Sequence, residues 1–196
     1  MEKSIKEQIA DNYKLIMWGV LISAAHIIIW RFQILPAFIG YIMVYIGISN
    51  IFKKTGIKYM KGAVKSAGLV MIVSIVHWIF GAFVLPYTNA LTQCIELLVF
   101  VLELSLLGEF LNKTVKLLKE NDKVSYADKM RKNRMLFIKF YIAVVAVYAL
   151  SMIPKLDFLG LYAAPTLMLS VKIFVSLILQ TVIRSEVEYY EKQEER

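Results

Sequence analysis

Six long apolar runs, separated by polar segments, divide the 196-residue chain. A helix needs about 20 apolar residues to cross the hydrocarbon core of a bilayer, and the runs are close to that length. The pattern therefore predicts an all-α fold, a six-transmembrane-helix bundle in which residues 1–196 form a single integral membrane domain. The predicted spans are about 15–30, 34–52, 66–85, 89–111, 135–153 and 158–183.

The connections on one side of the predicted bundle are very short, and each contains two apolar residues followed by proline. Proline lacks a backbone N–H donor and suits the first turn of a helix, so it can restart the chain after a tight reversal. Three helical hairpins are therefore predicted. Their turns are Ile34-Leu35-Pro36, Val84-Leu85-Pro86 and Met152-Ile153-Pro154. On the other side, Ser125 with Asp128 has the spacing of a helix cap and predicts the start of the fifth helix.

Lysine and arginine are distributed unevenly between the two sides. The two tails and the longer connections hold 19 of these residues, whereas the short connections hold only Arg31 and Lys155. Positive residues are retained on the cytoplasmic side of a membrane. Both termini of this multi-pass protein are therefore predicted to be cytoplasmic, N-in and C-in.

Composition narrows the classes of function. Hydrophobic residues make up 59% of the chain and the mean hydropathy is +0.61, so a soluble domain is set aside. The net charge of +8 is interpreted as basic loops lying against anionic lipid headgroups. Nucleic-acid binding is not expected, because no basic face is interleaved with aromatic residues on a soluble module. Cys94 is the only cysteine, which leaves no disulfide framework.

The run "ILPAFIGYIMVYIGI", from Ile34 to Ile48, resembles a segment of small, uncharacterised polytopic membrane proteins of Gram-positive bacteria. In that group a similar Leu-Pro-x-Phe-Ile-Gly-Tyr run opens a helix, and an acidic residue is common after the proline, where this chain has Ala37. The resemblance covers about fifteen residues. It implies a location in the bacterial cytoplasmic membrane and no particular activity.

The fourth predicted span carries carboxylates at depths where lipid is expected. Asn89, Gln93, Glu96, Phe100 and Glu103 follow one another at intervals of four and three residues, which places them on one seam of a helix. A charged side chain facing lipid at the bilayer centre costs about 2.5–3.5 kcal/mol even on insertion scales. The seam is therefore predicted to face the bundle interior or a wet cavity.

Counting residues from the prolines gives each of these carboxylates a candidate partner. Lys172 follows Pro154 by 18 residues and Glu103 follows Pro86 by 17, so the two are predicted to pair at matching depth. His77 precedes Pro86 by nine residues and Glu96 follows it by ten, which predicts that these two lie close together. His26, at the same outer depth, is either a further member of the cluster or a packing residue. His26 and His77 each follow a serine by three residues, so the first two hairpins are either an internal duplication or a coincidence.

The leading hypothesis is a small-solute or ion transporter, or the membrane subunit of one, that is proton-linked. The substrate- or ion-binding residues would be Glu96, Glu103, His77, Lys172, Gln93, Asn89 and His26. The alternative is a non-catalytic scaffold or regulatory subunit, in which the same groups fix helix register and the basic loops, 53–65 and 113–134, present a surface to a protein partner or to lipid. Either a protein partner or a homo-oligomer is compatible with the sequence. No catalytic motif is present, so no enzyme activity, catalytic residue or cofactor is predicted. A metal site from His26, His77, Glu96 and Cys94 ranks third, since these residues lack a ligand spacing signature, and no metal ligands are assigned.

Overall fold

The computed structural model describes residues 5–24, 28–29, 32–33, 36–84, 89–121, 123–153, 155–156 and 163–194. Its helices are α1 (Ile5–Ile22), α2 (Ala37–Thr55), α3 (Lys61–Ile79), α4 (Ala90–Glu120), α5 (Val124–Ser151) and α6 (Ala164–Glu194). A 3₁₀ turn, Lys58–Met60, precedes α3, and a π-helical turn, Phe80–Val84, extends it. Two short strands, β1 (Ile28–Ile29) and β2 (Phe32–Gln33), lie between α1 and α2.

The helix ends follow from local chemistry. Pro36 is the N-cap of α2, as its place in the predicted turn implied. Gly56 ends the same helix in the left-handed conformation at φ 63°, where a residue without Cβ has no steric penalty. Asn89 caps α4, because its side-chain oxygen accepts a 2.9 Å hydrogen bond from the backbone N–H of Leu91.

The six helices form a closed ring. Each helix packs against its neighbours in the chain, and α6 completes the ring by packing on α1. The members of the three predicted hairpins are therefore in contact. The ring encloses the buried side chains, so residues on non-adjacent helices meet only across its interior.

Burial is inverted relative to a soluble protein. Large apolar side chains cover the outside of the ring; Ile72 is 56% exposed and Phe83 is 68% exposed. Glu103 and Lys172, in contrast, are among the most buried residues of the described chain. Apolar surface of this extent is characteristic of a protein that contacts lipid or a partner.

Among the residues that the structure describes, three helical segments are long and apolar enough to cross a membrane. They are Lys58–Val84, Val124–Ser151 and Ala164–Ser185. The chain is therefore a helical protein with the composition of a membrane protein. Six spans and cytoplasmic termini stay predictions.

The predicted first span, about 15–30, is wrong as a continuous helix. The helix α1 ends at Ile22, and Ile28 pairs with Gln33 and Ile29 with Phe32 in an antiparallel ladder. The apolar run that suggested a longer helix is β-branched, and such residues lose side-chain freedom in a helix but suit extended backbone. The all-α prediction is confirmed, since six helices form the fold of the described residues and the two-residue ladder is confined to the connection between α1 and α2.

The predicted cap at Ser125 and Asp128 is also wrong. The N-cap of α5 is Lys123, which makes no side-chain capping bond. The backbone N–H of Lys123 donates a 2.9 Å hydrogen bond to the carbonyl of Leu118 and closes the reversal. The new helix begins directly from that turn, so Ser125 lies inside it.

Candidate functional site

An ion pair lies at the centre of the ring. The Nζ atom of Lys172 on α6 is 3.0 Å from Oε1 of Glu103 on α4, and each side chain is 1% exposed. The predicted pairing of these two residues is confirmed. Because α4 and α6 are not adjacent in the ring, the contact crosses its interior.

Hydroxyl groups from three other parts of the chain complete the surroundings of the pair. Tyr141 on α5 donates a 2.6 Å hydrogen bond to Oε2 of Glu103. Lys172 donates to Ser23, at 2.8 Å, and to the Tyr41 hydroxyl, at 3.5 Å. The Ser23 hydroxyl donates its own proton to the carbonyl of Val20, which leaves its oxygen available to accept from the ammonium group. The ammonium therefore has two neutral acceptors besides the carboxylate.

The contact of α1 with α2 places Ser23 and Tyr41 beside Lys172. A Cβ on Gly19 would lie 2.6 Å from the carbonyl oxygen of Gly40, and a Cβ on Gly40 would lie 2.5 Å from the backbone nitrogen of Ser23. Only glycine permits this approach of two helix backbones. A Cβ on Gly47 would lie 2.5 Å from Cγ1 of Ile16, so Gly47 is a close-packing position on the same helix as Gly40.

A second carboxylate–phenol pair lies on the same two helices. Tyr148 on α5 donates a 2.6 Å hydrogen bond to Oε2 of Glu96 on α4. Glu96 is half-buried, whereas Glu103 is fully buried. Seven residues separate the two members of each kind, which corresponds to about 10.5 Å along a helix. The interface of α4 with α5 thus carries two Tyr–Glu hydrogen bonds at successive depths, here called the Tyr–Glu ladder (Glu96, Glu103, Tyr141 and Tyr148).

The remaining predicted site residues are placed as follows. His77 is buried on α3, and Val70, Ser74 and Gly81, at helical spacing from it, are buried as well. The proximity of His77 to Glu96 stays a prediction. Asn89 is the N-cap of α4, and Gln93 is half-buried one turn into that helix. His26 lies outside the described residues, so its assignment to the cluster stays a prediction.

Sequence analysis missed the four hydroxyl partners of the acidic and basic groups. Tyr141 and Tyr148 belong to a seam on α5 with the same spacing as the acidic seam on α4, and a comparison of the two spacings would have found them. Ser23 carries a weaker signal, since it was noted only for its position before His26. The α5 seam consists of Phe137, Tyr141, Val144, Tyr148 and Ser151, all of them buried.

Within the described residues, no group of three or more histidine, cysteine, aspartate or glutamate side chains is placed to hold a metal ion. Comparisons with protein-family models, with curated proteins and with solved structures each return no match to this chain. The resemblance of the Ile34–Ile48 run to small membrane proteins of Gram-positive bacteria is not tested by these comparisons. Function is therefore inferred from the geometry of the site.

Proposed function

We propose that the chain is a six-span protein of the bacterial cytoplasmic membrane, N-in and C-in, which moves a small solute or ion in a proton-linked cycle. The observation that carries the proposal is the Glu103–Lys172 pair at the centre of the ring. Ionisable residues inside a membrane are rare and costly, and they commonly mark ion pathways and proton relays. The proposal needs neither an enzyme activity nor a cofactor.

The hydrogen-bond acceptors around Lys172 are compatible with an ion pair to Glu103 that breaks and re-forms. When Glu103 takes up a proton, its attraction for the ammonium is lost, and Lys172 remains held by Ser23 and Tyr41. The protonated carboxyl group keeps Tyr141 as a neighbour, with the direction of the hydrogen bond free to reverse because a phenol both donates and accepts.

The Tyr–Glu ladder supplies a direction for proton movement. Glu96 is half-buried, and Glu103, two turns further along α4, is fully buried. In the proposed cycle Glu96 exchanges protons with the outer side and Glu103 responds by releasing or recapturing Lys172. Asn89 and Gln93 lie on the outer approach to Glu96, and His77 is the further proton carrier predicted near it.

The test is proton uptake into proteoliposomes under an imposed membrane potential, read by an internal pH dye. Wild-type protein should accelerate uptake over empty liposomes, and Glu103→Gln and Glu96→Gln should each reduce the rate at least about tenfold. Glu109→Gln is the matched control, because Glu109 is on α4 but bonds Ser66 of α3 instead of the ladder. Uptake equal to that of empty liposomes for wild type, or equal loss in the control, would refute proton coupling.

A non-catalytic scaffold or regulatory subunit is the second candidate, and the near-complete burial of the ion pair favours it. Glu103 and Lys172 are each 1% exposed, as expected of groups that fix helix register. In this case the basic connections, 53–65 and 113–134, would bind a protein partner. Glutamates in place of the exposed lysines of 113–134 should then abolish recovery of that partner in a pull-down, whereas Glu96→Gln should alter stability alone.

A further inference from the structure

A basic groove lies where α4 and α5 meet near their connection. Its volume is about 370 Å³, within the range of pockets that hold small ligands. The 3₁₀ turn before α3 supplies one wall, α4 a second and α5 a third. Among the residues that line it are Tyr59, Lys113, Lys116, Lys119, Arg131 and Arg134.

The positive charge of the groove is only partly neutralised by its surroundings. Glu120 lies 3.8 Å from Lys116, and Asp128 lies 3.9 Å from Lys119. Lys113, Arg131 and Arg134 have no such ion pair with the described carboxylates. Five cationic side chains thus face two carboxylates, and an anionic ligand would meet an excess of positive charge.

Two features indicate a formed site and not a loose group of surface lysines. Tyr59 donates a 2.8 Å hydrogen bond to Glu120, and the Lys116 ammonium lies 4.4 Å from the centroid of the Tyr59 ring, so the wall is held in place. The Nε atom of Arg134 is buried and has no hydrogen-bond partner among the described residues. An unsatisfied buried donor is costly, and a bound oxyanion would satisfy it.

We propose that this groove binds the phosphate group of a phosphate ester. Guanidinium groups form paired hydrogen bonds with phosphate oxygens, and Arg131 with Arg134 supplies two of them on one helix. Apart from Tyr59, the groove residues fall between 112 and 134, just outside the predicted spans that end at about 111 and begin at about 135. That level corresponds to lipid headgroups, which makes an anionic phospholipid the natural source of the phosphate. This phosphate-site proposal does not depend on the proposal of proton-linked transport.

The experiment measures binding of phosphatidylglycerol to the purified full chain in neutral detergent by native mass spectrometry, with phosphatidylcholine as the reference lipid. Arg131→Gln/Arg134→Gln removes two charges from the groove. Lys129→Gln/Lys132→Gln removes two from exposed positions of the same helix outside it and is the matched control. The groove variant should bind phosphatidylglycerol at least about tenfold more weakly than wild type, with the control within about twofold. Lys113→Gln, on α4, gives a second variant should the double variant fail to fold.

Competition by inorganic phosphate distinguishes a lipid headgroup from free phosphate as the ligand of the groove. If millimolar phosphate leaves lipid binding unchanged, the groove is specific for a lipid headgroup. If phosphate competes with the lipid in wild type, the groove also binds free phosphate. Both results support the proposed phosphate site. Equal weakening in the groove variant and in the control would overturn it, because the lipid would then respond to net charge alone. Equal binding of phosphatidylglycerol and phosphatidylcholine by wild type would overturn it as well.

Discussion

Glu103 and Lys172 contact each other across the interior of the ring, although their helices, α4 and α6, are not neighbours in it. An ion pair between adjacent helices would join two elements. This one, through Tyr141, Ser23 and Tyr41, joins α4 and α6 to α5, to α2 and to the end of α1. The stability of the ring and the charge state of its centre are therefore linked.

We expect Glu103→Gln and Lys172→Met each to lower the free energy of unfolding by about 3–5 kcal/mol, because each leaves one buried group without its counterion. The double variant should lose less than the sum of the two, since it buries no charge. Unfolding titrations of all four proteins in detergent give the coupling energy. Strictly additive losses would show that the two side chains do not stabilise each other.

The same set of proteins tests the role of the neutral acceptors. Glu103→Gln should be the milder of the two single variants, because Lys172 keeps the hydroxyls of Ser23 and Tyr41. Adding Ser23→Ala to Glu103→Gln should cost about 1.5–3 kcal/mol more, the value of a hydrogen bond to a charged group. If Ser23→Ala costs nothing in that background, the ammonium does not depend on it.

The two hydrogen bonds of the Tyr–Glu ladder should contribute different amounts to the free energy of unfolding. Tyr141→Phe removes a fully buried hydrogen bond to Glu103 and should cost about 1.5–3 kcal/mol. Tyr148→Phe should cost less, since Glu96 is half-buried and water can replace the phenol. Unfolding titrations rank them, with Tyr45→Phe on α2 as the control for loss of a hydroxyl. The reverse order would contradict the assigned depths.

Gly40→Ala should destabilise the protein and separate α1 from α2, because the new Cβ would meet the backbone of Ser23 at 2.5 Å. Gly68→Ala on α3 is the matched control. Its Cβ would lie 3.6 Å from the Tyr45 ring, an ordinary contact, and alanine favours a helix by about 1 kcal/mol over glycine. Thermal unfolding should therefore shift in opposite directions for the two variants. A neutral Gly40→Ala would mean that the helices are not held this close.

The topology can be tested directly because Cys94 is the only cysteine. In a Cys94→Ser background, single cysteines at Lys53 and Lys132 should be labelled by an impermeant maleimide only after the cytoplasmic side is opened. A cysteine at Lys155, in a predicted outer turn, should be labelled in intact cells. Labelling of all three from outside would contradict the N-in and C-in orientation.

The ion pair could be predicted because depth in a membrane is a one-dimensional quantity. Counting residues from the prolines of the predicted turns was enough to place Glu103 and Lys172 at the same depth. The seam of Glu96 and Glu103 followed from helical periodicity and the cost of polar groups in lipid. These inferences needed no knowledge of which helices are neighbours.

The tyrosines could not be assigned so easily, because a phenol in a membrane helix is compatible with lipid contact, an interfacial position or a buried hydrogen bond. Only the packing of α5 on α4 decides between them for Tyr141 and Tyr148. The end of α1 was missed for a related reason. Apolar runs report burial or lipid contact, and they do not distinguish helix from strand when the residues are β-branched, as Ile28 and Ile29 are.

The closure of the ring by α6 on α1 has a consequence for biogenesis. In the proposed six-span topology, Glu103 would enter the bilayer before Lys172 is translated, so its carboxylate would lack its counterion until α6 is inserted. A chain interrupted before α6 retains an uncompensated acid in the membrane and an open seam on α1. In that topology the central ion pair therefore distinguishes a finished chain from an incomplete one.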